Sequence, residues 1–130
     1  MNKITLALIV AKPGHLRNGL QSLLRTIPQI ELLAESHDPS ILEKMSDQIH
    51  PELIMIDAHI FNEANYAAIK KIKKDRDGVK VLMLTENDEQ GQAAKEVGAD
   101  YYLLKGFHAS ELANLIETLL TENLREKEIK

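Results

Sequence analysis

Three side chains of different chemistry each follow a short apolar run. Asp57 comes after Leu53-Ile54-Met55-Ile56, Thr85 after Val81-Leu82-Met83-Leu84, and Lys105 after Tyr101-Tyr102-Leu103-Leu104. A carboxylate, a hydroxyl and an ammonium brought to one place could surround a small anion as nucleophile, hydrogen-bond donor and charge neutraliser. That chemistry requires the three runs to be neighbouring strands with a common direction, so that their ends converge.

The rest of the chain supplies such an arrangement. Apolar runs recur about every 25 residues: Ile4 to Val10, Ile30 to Ala34, Leu53 to Ile56, Val79 to Leu84, and Tyr101 to Leu104. They are continuous rather than alternating, which is the signature of strands covered on both faces in a parallel sheet. Between them lie helical stripes: Leu16, Leu20, Leu23, Leu24 and Ile27, then Ile41, Leu42, Met45 and Ile49. Ala67, Ile69 and Ile72 mark a third helix, Ala93, Ala94 and Val97 a fourth ended by Gly98, and Leu112, Leu115, Ile116, Leu119 and Leu120 a fifth starting near Ala109. Asp38-Pro39 and Ser110 read as helix starts. Five β-α units predict an α/β fold, a doubly wound five-stranded parallel sheet. Ligands of such sheets bind at the carboxyl edge.

Composition narrows the function classes. The 130 residues carry 16 Lys and Arg against 20 Asp and Glu, a formal charge of −4, which disfavours a domain built to grip nucleic-acid phosphates. Without cysteine there is no disulfide, thiolate nucleophile or Cys-bound metal, and the chain suits a reducing cytoplasm. No apolar run approaches a membrane span, and Met1-Asn2-Lys3 leads straight into strand-like residues with no room for a signal peptide. A cytoplasmic location is expected. A flavodoxin-like enzyme or nucleotide-binding domain is disfavoured because Pro13-Gly14 alone follows the first strand where a Gly-rich loop would stand.

With these residues in place, the chain resembles the receiver domains of bacterial two-component response regulators, over about residues 3 to 121. The resemblance is closest to the NarL/LuxR type, through Pro51 to Asp57, Gly98 to Lys105, and the spacing of Leu8-Ile9-Val10 with Arg17-Asn18-Gly19-Leu20. It implies the flavodoxin-like receiver fold with strand order 2-1-3-4-5. It further implies Asp57 as phospho-acceptor position, Thr85 as switch hydroxyl, Lys105 as the lysine paired with the phosphoryl group, and Tyr102 as the aromatic whose rotamer reports activation.

One departure bears on the chemistry. The family places two acidic residues after the first strand, which hold Mg²⁺ together with the acceptor; here stand Ala11 and Lys12. A methyl cannot ligate a hard cation and an ammonium repels it. Phe61, Asn65 and Glu86 also replace the family's usual Pro, Gly and small residue, and Gly106 replaces a frequent Pro. Lys12 is expected to reach toward Asp57 in place of the metal, so that Lys12 and Lys105 both stand against Asp57 with Glu86 at the mouth of the pocket. The expected molecule is an atypical receiver that uses no cofactor or metal, is not an enzyme, and acts through protein contacts. The alternative is a conventional receiver phosphorylated on Asp57 by a histidine kinase, with Asp38 or Glu86 as the missing acid.

Expected partners are proteins, a histidine kinase or an output domain that could be a DNA-binding one, with a homodimer as a further assembly. Direct nucleic-acid binding by this domain and membrane association are not expected. Residues 1–121 read as the receiver-like domain, and 122–130 as a charged helical tail or the start of a linker. Lys70 to Lys74 reads as a solvated helix face, and His15 and His59 as surface histidines without metal-ligand spacing.

Overall fold

The computed structural model describes residues 4–44, 50–60, 63–75 and 78–129. Its elements run β1 (Thr5–Val10), α1 (His15–Arg25), β2 (Ile30–Ser36), α2 (Ile41–Lys44), β3 (Leu53–Asp57), a 3-10 turn (Ala58–Ile60), α3 (Glu63–Asp75), β4 (Lys80–Thr85), α4 (Asp88–Glu96), β5 (Tyr101–Leu104) and α5 (Ala109–Ile129). The five strands are parallel in the order β2-β1-β3-β4-β5. The spacing of the apolar runs predicts this doubly wound parallel sheet, and its strand order is the one that the resemblance implies.

Alternate residues of the same strands feed two separate cores. Leu8, Val10, Ile54, Ile56, Val81 and Met83 face α3 and α4, meeting Ile69, Ile72 and Ala94. Ala7, Ile9, Leu53, Met55, Leu82 and Leu84 face the other way, onto Leu20 and Leu24 of α1 and Leu112, Ile116 and Leu119 of α5. The central strands are therefore covered on both sides, which is why their sequences show runs instead of alternation. Among the described side chains of α3, Ala68, Ile69 and Ile72 are buried, while Ala67 is exposed, one position off the expected stripe. Met45 and Ile49, expected on the second helix, lie outside the described residues, as does Phe61.

Helix ends are set by local chemistry. Asn87 caps α4, its side chain accepting the Gln90 N–H at 2.8 Å, and Asp88 and Glu89 then place negative charge in the first turn. Gly98, at φ 115°, takes the left-handed conformation that turns the chain from α4 into β5. At the start of α5 the cap is not Ser110, which is already helical. The Glu111 carboxylate instead reaches back to the His108 N–H at 3.1 Å, one half of a capping box.

The edge strand β2 carries an irregularity. Ala7 pairs with Leu32 but Leu8 with Ala34, so Leu33 is an extra residue in the ladder and is 39% exposed.

At the amino edge of the sheet, Lys73 leaves the solvated basic face expected for Lys70 to Lys74. Its Nζ donates to the Val79 carbonyl at 2.7 Å and to both carboxylate oxygens of Asp100, at 2.9 and 2.8 Å. Asp100 also accepts the Val81 N–H at 2.8 Å. One lysine stem thus ties α3 to the starts of β4 and β5, while Lys70, Lys71 and Lys74 remain exposed.

Candidate functional site

Backbone register sets the carboxyl edge. Asp57 is the last residue of β3 and pairs with Leu84, one short of Thr85; Thr85 pairs with Leu104, one short of Lys105. The Lys105 N–H then donates to the Thr85 carbonyl at 2.8 Å, and Gly106, at φ 93°, turns the chain away. Three consecutive strand ends therefore deliver the acid, the hydroxyl and the amine side by side, as their positions in the sequence require.

Asp57 is nearly buried, at 8% exposure. Its Oδ1 accepts the His59 N–H at 2.9 Å, an Asx turn that opens the 3-10 segment and fixes the carboxylate's direction. The same oxygen lies 2.6 Å from Lys105 Nζ. Lys105 Nζ also reaches Glu86 Oε1 at 2.9 Å, so one ammonium serves two carboxylates. Burial is the largest single influence on Lys105 and would push its proton off. The hydrogen bonds to Asp57 and Glu86, with their charges, together outweigh it and hold the ammonium above the ordinary lysine range.

Thr85 is fully buried, and its Oγ1 has no hydrogen-bond partner. A buried hydroxyl without a partner is uncommon in folded proteins, and it sits here between the acid and the amine strands. Tyr102 lies on the α4 side of the sheet. Its ring rests so close to Gly91 that a Cβ there would fall 2.2 Å from Tyr102 Cδ2. The hydroxyl donates to Asp88 Oδ1 at 2.9 Å and accepts from Gln92 Nε2 at 3.4 Å. The bond to Asp88 raises the phenol above its usual range. Tyr102 is therefore fastened to α4 and not to the Asp57 cluster.

After β1 the two flanking positions separate. Ala11 is buried in the apolar cluster with Leu20 and Leu24, and its N–H donates to the Ser36 carbonyl at 2.8 Å. Lys12 is exposed and forms no ion pair among the described residues. The expected reach of Lys12 to Asp57 does not occur. The cation on Asp57 is Lys105, already 2.6 Å away, whereas Lys12 keeps its hydration at the start of the loop to α1. Of the two acids offered as substitutes, Glu86 joins the cluster through Lys105. Asp38 instead caps its own loop, accepting the Ser40 N–H at 2.9 Å, which lowers its carboxyl below the usual range. Among the described residues no three His, Cys, Asp or Glu side chains stand close enough to hold a metal ion. The residues at this edge do not fit a hard cation: the two positions after β1 that would add carboxylates to Asp57 hold a methyl and an exposed ammonium.

A second polar cluster had no distinct sequence signal. Arg17 Nε lies 3.1 Å from Glu35 Oε2 without forming a hydrogen bond, and Gln21 Nε2 donates to the same oxygen, joining α1 to the end of β2. Each residue looks like an ordinary helix or strand polar residue, and only the packing of α1 on β2 brings them together.

Comparison with known proteins agrees with this geometry. The profile of the response regulator receiver domain matches residues 7–117. The chain is 27% identical over 125 residues to the transcriptional regulatory protein YdfI of Bacillus subtilis, covering 95% of this chain and 57% of that protein. It is 31% identical over 116 residues to the response regulator protein VraR of Staphylococcus aureus, covering 87% and 56%. The chain thus spans little more than half the length of these relatives. Among solved structures, the isolated REC domain of RcsB from Salmonella enterica serovar Typhimurium superposes with a TM-score of 0.75 at 17% identity, over 92% of this chain and 90% of that one. The sheet order, the Asp57, Thr85 and Lys105 strand ends and the match over residues 7–117 converge, and the chain belongs to the response regulator receiver domain family.

Proposed function

We propose that this receiver domain of two-component signalling is an atypical one, in which Asp57 does not accept a phosphoryl group by the Mg²⁺-dependent route. One observation carries the reading: where a metal ligand would have to stand after β1, Ala11 is buried in the apolar core. Phosphoryl transfer to a carboxylate needs a cation on the transferring oxygens, and the two positions after β1 offer a methyl and an ammonium where carboxylates would hold that cation. The domain then signals by protein contacts rather than as an enzyme, with a kinase, an output domain or a second copy as partner. Helix α5 runs unbroken past residue 121 to Ile129, and we read 122–130 as the connecting tail.

Among the described residues no helix is long and apolar enough to cross a membrane. The test is exposure to acetyl phosphate and Mg²⁺, read by phosphate-affinity electrophoresis beside an Asp57→Asn control. No retarded species is expected. A retarded band that disappears in Asp57→Asn would establish the conventional receiver instead.

A further inference from the structure

Taking Asp57 and Lys105 as the acceptor-position pair of an atypical receiver, on which this rests, we propose that Glu86 is a built-in counter-anion. It occupies the outward side of Lys105 and keeps phosphate-like anions out of the site.

The geometry is specific. Lys105 Nζ is held between Asp57 Oδ1 at 2.6 Å and Glu86 Oε1 at 2.9 Å. Asp57 is the buried side of this bridge, while the Glu86 side chain is 53% exposed and stands toward solvent. An anion arriving from solution to pair with Lys105 therefore meets the Glu86 carboxylate on the solvent side of the ammonium. The loop bearing Glu86 is fixed at both ends. Thr85 is locked in β4, the Glu86 N–H donates to Gln90 Oε1 at 2.8 Å, and Asn87 caps α4. A carboxylate tethered this tightly competes at an effective concentration on the order of millimolar or more. Charge acts in the same direction. Two carboxylates and one ammonium leave the cluster at −1, so an incoming dianion is repelled; without Glu86 the same cluster is neutral.

The site retains the donors an anion would use. Thr85 Oγ1 is buried without a partner, and Lys105 is the one cation paired to Asp57 among the described residues. Removing Glu86 should therefore create an anion site from groups already present.

The experiment titrates inorganic phosphate against chloride at constant ionic strength, without Mg²⁺, following the amide signals of Thr85, Lys105 and Gly106. The parent protein should show no saturable shift. Glu86→Ala and the isosteric Glu86→Gln should both bind phosphate saturably, at least tenfold more tightly than the parent, and adding Lys105→Gln should abolish the gain. Thermal melts of each variant establish that it is folded. Equal phosphate affinity in parent and Glu86 variants, including no binding in either, overturns the proposal, as does a gain that survives Lys105→Gln. Phosphorylation of the parent on Asp57 would end the atypical reading but leave this comparison intact. Equal phosphate affinity would end the role of Glu86 and leave that reading standing.

Discussion

A single ammonium holds two carboxylates at the end of β5, and its burial decides how strongly. The Lys105 and Asp57 side chains are 23% and 11% exposed, between a surface pair and a fully buried one. A double-mutant cycle of Lys105→Met with Asp57→Asn should show a coupling of about 1–3 kcal/mol, above the range of exposed pairs. Lys12→Ala, at an exposed position, should leave stability within about 0.5 kcal/mol of the parent and be additive with Asp57→Asn. Urea melts of these variants check both. Lys105 beside Asp57 was legible in the sequence, but that Lys12 stays away from it was not. Both leave a strand at the same edge, and a long flexible stem reaches in either direction from such a position. The choice follows from the turn at Gly106 and the backbone bond from Lys105 to Thr85, which are consequences of tertiary register. Asp57 and Thr85 were legible because a polar residue that ends a buried parallel strand has no position other than the carboxyl edge.

Among the elements, α4 and β5 are joined through a missing side chain. A methyl at position 91 would enter the Tyr102 ring at 2.2 Å, so Gly91 is required by contact and not by backbone conformation. Gly91→Ala should destabilise by about 1–3 kcal/mol through overpacking, although alanine in a helix interior ordinarily gains about 1 kcal/mol over glycine. In a Tyr102→Ala background the sign should reverse and the propensity gain emerge. Chemical denaturation of the four proteins tests this, and destabilisation that persists without the ring would refute the contact. Periodicity gave no hint of it, since a glycine inside a helical stripe reads as a weak helix former until its neighbour on the sheet is known. At the other end of the sheet, α5 is anchored through Glu122, which accepts from the Tyr101 hydroxyl at 2.9 Å and lies 3.6 Å from Lys80 Nζ. The bond to Glu122 raises the Tyr101 phenol above its usual range. Glu122→Gln should bring that titration back down, as read by phenolate absorbance.

At the scale of the whole molecule, the high-pH shifts found among the described residues share one sign. Tyr101, Tyr102 and Lys105 all hold their protons more tightly in the folded state than in the unfolded chain. Their contribution to stability is complete below the ordinary tyrosine and lysine values and is lost as pH rises through the raised folded ones. Asp38 acts oppositely: its depressed carboxyl stabilises above the ordinary aspartate value, and that contribution is lost as pH falls through the folded one. These shifts should therefore make stability fall in the alkaline range. In the double variant Glu122→Gln, Asp88→Asn the alkaline fall should be shallower in denaturant melts. The overall fold was legible because both-face burial imprints continuous runs on every central strand. The polar ties across it, Lys73 with Asp100 and Arg17 with Glu35, were not, since each partner lies far along the chain from the other.

The extra residue Leu33 in β2 has a consequence for how copies of the molecule meet. β2 is the longer of the two outer strands and would otherwise offer a run of free amides and carbonyls for another chain to continue the sheet. A strand laid against it would meet those groups in step up to Leu32 and out of step beyond, because the ladder shifts by one residue there. One inserted leucine thus breaks the match that a second strand would need to extend the sheet along the whole of this edge.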